Sequence, residues 1–167
     1  EILGITRCRE VTVQWCILSE PLANPRLHPY GDRHAFCINA SASTLSIHHC
    51  LLAHFVMRGP QFECNDMRAE DRHVVRMEAV NNVVFDFERS GSRYSLGVEK
   101  GGGTGRGKTF EFQFLDNLYI TDSPYRTAIE PIIKHGRDAN VRVAILRNEL
   151  LVATAPRPTS VAGSLLS

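Results

Sequence analysis

The sequence predicts an α+β fold, mostly antiparallel β in a sandwich- or barrel-like arrangement with one or two helices; an all-β chain is the alternative. Three observations lead there. Phe110, Phe112 and Phe114 alternate with Glu111 and Gln113, the period-2 pattern of a strand with one buried face. Short runs rich in Val, Ile, Thr and aromatic residues recur along the chain between Gly, Pro, Asn and Asp. Two stretches, 43–57 and 124–135, carry helix start and stop signals. With 167 residues and 43% hydrophobic content, one β-rich domain over 1–155 is expected, followed by a Pro- and Ser-containing tail over 156–167.

Residues 2–7 and 11–18 read as strands, and a loop marked by Pro21, Pro25, Pro29 and Gly31 follows. A third strand is expected over 34–39. Residues 43–57 form the most apolar long run, and Ser43 as a cap with Gly59-Pro60 as a stop favours a buried helix, although Leu45 and Ile47 also alternate. Residues 73–80 and 82–88 are expected to form a hairpin about Asn81-Asn82, with Val83, Phe85 and Phe87 on one face. Strands over 94–100 and 109–115 flank a glycine-rich hairpin tip. A short helix is expected over 124–135, made irregular by Pro131. Residues 141–146 and 150–153 close the domain as a hairpin. No internal repeat is evident.

The formal net charge of +1 provides no global attraction to nucleic acid or anionic membrane, so any such attraction has to be local. Sixteen of the 19 basic residues are arginine, the residue suited to bidentate phosphate and carboxylate contacts. Five cysteines without a CxxC pair argue against a disulfide framework and point to an intracellular setting; the chain starts at Glu1, which leaves a processed product open. No run approaches the ~20 apolar residues of a membrane-spanning helix.

The stretch 101–109 departs furthest from core composition, with glycines at 101, 102, 103, 105 and 107 around Arg106 and Lys108. Residues 102–109 match the phosphate-binding pattern G-x-x-x-x-G-K-[ST] and so resemble P-loop nucleotide hydrolases, in which Lys108 would meet terminal phosphates and Thr109 a Mg²⁺ ion. That site has to open a helix, whereas the alternation from Thr109 onward predicts a strand. Residues 106–110 are also similar to the Gly-Arg-Gly-Lys-Ser-Phe segment of Runt-type immunoglobulin-fold DNA-binding domains, a resemblance that implies phosphate-backbone contact. Across 88–108, five basic residues face Glu88 and Glu99, a local +3. The expected ligand-binding set is therefore Arg89, Arg93, Lys100, Gly103, Gly105, Arg106, Lys108 and Thr109, with nucleic acid or another polyanion as partner.

Other constellations are weaker. Cys50 and His54 would share a helix face, but no second ligand pair at a zinc spacing appears, and no cofactor is expected. Asp86 and Glu88 would share a strand face, with Arg72 and Arg76 as cross-strand partners. Trp15 is expected in the core rather than on a binding surface. The reading is a non-enzymatic binding domain without a membrane role. The alternatives are a structural subunit of a larger assembly, self-association included, and, behind it, a nucleotide-binding enzyme.

Overall fold

The computed structural model describes residues 2–21, 35–42, 44–64, 74–96, 108–133 and 140–153. They form fifteen strands in three five-stranded sheets, and every strand pairing is parallel. Sheet A holds β1 (Leu3–Cys8), β4 (Ile38–Ala42), β7 (Gln61–Phe62), β10 (Ser90–Leu96) and β13 (Thr127–Ile133). Sheet B holds β2 (Val11–Gln14), β5 (Thr44–His48), β8 (Val74–Val80), β11 (Thr109–Leu115) and β14 (Asn140–Leu146). Sheet C holds β3 (Ile17–Ser19), β6 (Leu51–Phe55), β9 (Val83–Phe87), β12 (Leu118–Thr121) and β15 (Glu149–Val152). The chain visits A, B and C in turn, so each circuit is one coil of a β-solenoid and five coils stack.

This replaces the expected antiparallel α+β fold. Residues 43–57 are not a helix; β5 and β6 occupy them, and Ser43 lies outside the described residues. The expected helix over 124–135 is β13, in which Pro131 sits on the last strand of sheet A. None of the expected hairpins forms. β8 and β9, β10 and β11, and β14 and β15 are consecutive strands of different sheets, joined by corners or connecting segments. Asn81-Asn82 is a turn, as its composition indicates, but it bends the chain from sheet B to sheet C.

Those B-to-C corners reveal a repeat. Cys16, Cys50, Asn82, Asn117 and Asn148 stack in one column at steps of 31–35 residues. The residue before each one, Trp15, His49, Asn81, Asp116 or Arg147, has φ between 51° and 56°. This left-handed conformation bends the chain from sheet B to sheet C within two residues, and apart from glycine it suits Asn and Asp best. At the other positions stacking compensates. Trp15 lies on the His49 ring at 4.6 Å between centroids, and Arg147 grips Asp116 through two contacts of 2.6 and 2.7 Å. Trp15 is 74% exposed and is not a core residue.

The asparagines form a ladder. Asn82 Oδ1 accepts from Cys50 N at 3.0 Å, Asn117 Oδ1 from Asn82 N at 3.0 Å, and Asn148 Oδ1 from Asn117 N at 3.0 Å. Their Nδ2 groups donate to Ile47 O, Ala79 O and Phe114 O of the preceding coils. Inside, Phe110, Phe112 and Phe114 are wholly buried, as their alternation predicts, and Phe62 stacks on Phe114 at 5.0 Å. Tyr94 completes this aromatic seam between sheets A and B.

Gly91 lies in a close approach. A Cβ there would stand 2.6 Å from the buried Tyr119 ring and 2.9 Å from the Ala128 carbonyl. Gly91→Ala is expected to cost about 2–3 kcal/mol, because a backbone oxygen cannot yield as a side chain can. Urea unfolding of the variant measures it.

Candidate functional site

Among the described residues, unmet hydrogen-bonding capacity gathers on the outward side of sheet A, in buried side-chain atoms. Ile5, Ala40, Phe62 and Tyr94 point into the core, so their strand neighbours point out. Register then aligns Asn39, Gln61, Arg93 and Glu130 in one row across four coils. Glu63 and Ser95 stand beside this row on the same face. At about 4.8 Å per coil, the row is roughly 14 Å long.

Ladder pairing occupies the backbone of these residues but leaves their side chains to find partners. Asn39 Oδ1, Gln61 Oε1 and Ser95 Oγ are buried without a hydrogen-bond partner. Gln61 Nε2 donates to Glu63 Oε1. Arg93 Nε approaches Glu130 Oε2 at 2.9 Å without the alignment of a hydrogen bond, and Arg93 Nη1 donates to Met57 Sδ at 2.9 Å. Gln61 and Ser95 are at most 1% exposed, whereas Asn39, Glu63, Arg93 and Glu130 are half-buried and form the rim. Native proteins satisfy nearly all buried polar atoms, so three orphans on one face call for a ligand or ordered water.

A polar pocket of about 360 Å³ lies at the C-to-A corner, lined by Glu20, His54, Asp86, Glu88 and Arg126 with Pro21, Ala35, Phe55 and Val56. Glu20, His54 and Asp86 have φ of 59°, 54° and 49°, so a left-handed corner residue presents each side chain. His54 Nδ1 lies 2.9 Å from Asp86 Oδ2, and Arg126 holds Asp122 at 3.0 Å and donates to Phe87 O. The left-handed Asp86 also breaks the expected face of 82–88. Val84 and Phe87 are buried, while Phe85 is 38% exposed. Cys50 and His54, expected on one helix face, lie on opposite sides of the chain, Cys50 inside and His54 outside.

The outer face of sheet B is different, because its charges are internally matched. Arg76 Nε meets Glu111 Oε2 at 2.7 Å, Arg142 reaches Glu111 Oε1 at 3.2 Å, and Ser46 Oγ donates to Glu78 at 2.7 Å. The hydrogen bond from Arg76, ahead of its charge and that of Arg142, holds the Glu111 carboxyl below its usual range. Arg76 therefore belongs to Glu111 rather than to Asp86 or Glu88, and Arg72 lies outside the described residues.

Comparison with protein-family models, curated proteins and solved structures finds no match.

Four residues of the expected ligand-binding set, Arg89, Arg93, Lys108 and Thr109, lie among the described residues. Arg89 is exposed just before β10. Arg93 lies within β10, engaged with Glu130 and Met57. Lys108 is 6% exposed, and Thr109 begins β11. A strand thus stands where a phosphate-binding helix would have to start. Lys100, Gly103, Gly105 and Arg106 lie outside the described residues. Asn39, Gln61 and Glu130 were not singled out by sequence reasoning, because only the solenoid register brings them beside Arg93.

Proposed function

We propose that this chain is a binding scaffold that takes an extended, hydroxyl-rich ligand along the outer face of sheet A. The carrying observation is the cluster of Asn39, Gln61 and Ser95 on that face, whose buried oxygens have no partner. Amide oxygens accept from hydroxyls, and Arg93 and Glu130 at the rim add one donor fork and one acceptor. The repeat of coils sets these groups at near-constant intervals, which suits a ligand with a repeating unit, such as an oligosaccharide. The neighbouring corner pocket adds three carboxylates against Arg126 and His54, a balance that favours hydroxyls or cations over phosphates.

Titration calorimetry with neutral and acidic oligosaccharides of four to six units tests the reading. Saturable binding is expected, weakened about tenfold by Asn39→Ala and by Arg93→Ala. No heat at millimolar concentration for any of them, or binding indifferent to both substitutions, removes the proposal. The polyanion reading draws support from the exposed Arg89 and the composition of 97–107. It requires binding of single-stranded DNA that weakens steeply between 50 and 200 mM salt and falls in Lys100→Ala/Arg106→Ala.

A further inference from the structure

The corner column changes chemistry along the solenoid. Coils three to five are coupled there by asparagine amides, and among the described hydrogen bonds that ladder ends where Cys50 N donates to Asn82 Oδ1 at 3.0 Å. Between coils one and two the column continues with thiols, Cys16 below Cys50. Their backbones are pinned together, since Leu51 N donates to Cys16 O at 2.9 Å and β3 pairs with β6 in register. Parallel neighbours in register lie about 4.8 Å apart, inside the Cα separation of about 4.4–6.8 Å that a disulfide spans. Cys16 Sγ donates to Gln14 O at 3.1 Å and Cys50 Sγ to His48 O at 3.3 Å, the equivalent carbonyl one coil on. The two side chains therefore project the same way, and Cys50 Sγ also reaches back to Val13 O of the first coil at 3.6 Å.

We infer that Cys16 and Cys50 are a modification site, a dithiol that small-molecule disulfides convert to a covalent rung between the first two coils. Cys16 is half-buried and Cys50 is 3% exposed, so the order of steps follows from access. The Cys16 thiolate attacks one sulfur of oxidised glutathione, forming a mixed disulfide and releasing one glutathione thiol. Cys50 loses its proton to solvent, and its sulfur attacks Cys16 Sγ. That forms the Cys16–Cys50 bond and releases the second glutathione thiol. Two protein thiols are oxidised and one glutathione disulfide is reduced. The bond closes a loop between positions 34 residues apart, and it supplies the coupling that the asparagine ladder lacks in these coils.

The test incubates the full chain with oxidised glutathione, blocks remaining thiols and maps peptides without reduction. The expected product joins the peptides of Cys16 and Cys50 with loss of two hydrogens. It melts several degrees higher than the reduced protein, a gain that dithiothreitol reverses. Cys8→Ser leaves the linkage intact, which separates it from chemistry at the exposed Cys8. In Cys50→Ser the reaction is expected to stop with glutathione on Cys16, and in Cys16→Ser no glutathione is taken up at Cys50. Stable glutathionylation of Cys16 in the wild-type protein overturns the inference. So do Cys8-linked dimers as the sole product, or recovery of Cys16 and Cys50 as blocked thiols.

Discussion

Asn117→Ala is expected to remove about 4 kcal/mol of folding free energy, a large share of the stability of a domain this size. Asn117 is 2% exposed and sits between two other ladder residues. Its Oδ1 accepts from Asn82 N and Asn82 Nδ2, each at 3.0 Å, and its Nδ2 donates to Ala79 O and Asn148 Oδ1, each at 2.9 Å. Truncation strands donors and an acceptor that cannot turn to another coil, and each buried orphan costs about 1–3 kcal/mol. Asn148→Ala is expected to cost only about 1–2 kcal/mol, because Asn148 is half-buried in the last described coil. Urea unfolding at neutral pH measures both. A loss below about 1 kcal/mol for Asn117→Ala would show that the ladder marks the corner without holding it.

The strands were largely legible, and their arrangement was not. Phe110, Phe112 and Phe114 announced β11, but alternation states only that one face is buried, which is equally true of parallel and antiparallel pairing. The helix expected over 43–57 has a specific physical cause. Inward positions in coil two include Leu45, Ile47, Cys50, Leu52 and Phe55, steps of two and three residues, because each left-handed corner inserts an extra residue into the alternation. Steps of two and three imitate the apolar stripe of a helix. The repeat was readable in principle. Leu115-Asp-Asn117-Leu and Leu146-Arg-Asn148-Glu match Val80-Asn-Asn82-Val as an apolar residue, a turn residue and an asparagine. Cysteine in the first two coils hid the column, and each turn taken alone looks like a hairpin.

The candidate site was less legible for the same reason. Arg93 was identified by charge, and its surroundings by nothing local, since Asn39, Gln61 and Glu130 are up to 91 residues from one another in sequence. Charge counting along 88–108 also grouped Arg89 with Arg93, although Arg89 is exposed before β10 and Arg93 is engaged with Glu130. A solenoid makes neighbours of residues one coil apart, so patches have to be counted down columns rather than along the chain.

Alkaline pH is expected to unfold this protein progressively from about pH 9, through acids buried in their neutral form. Burial, with a smaller contribution from the Cys50 thiol, pushes Cys37 from an ordinary value of 9.0 up to about 12. Burial likewise raises Tyr119 above its ordinary 10.0, against the opposing effect of its hydrogen bond with Ser92 at 2.9 Å. Below pH 9 both groups are protonated in the folded and unfolded chains, and their contribution is fully present. Above it the unfolded chain releases the Cys37 proton while the folded chain retains it, so stability falls by about 1.4 kcal/mol per pH unit. Cys37 alone accounts for a loss of about 4 kcal/mol by pH 12, and Tyr119 steepens the fall above pH 10. Urea midpoints at pH 7, 9, 10 and 11, taken under reducing conditions, read this directly. Cys37→Ala is expected to lower the midpoint at pH 7 by opening a small cavity, yet to flatten the decline between pH 9 and 10. Tyr119→Phe is expected to remove only the steeper part above pH 10. A wild-type midpoint that holds steady from pH 9 to 11 would mean that neither group is kept neutral by the fold.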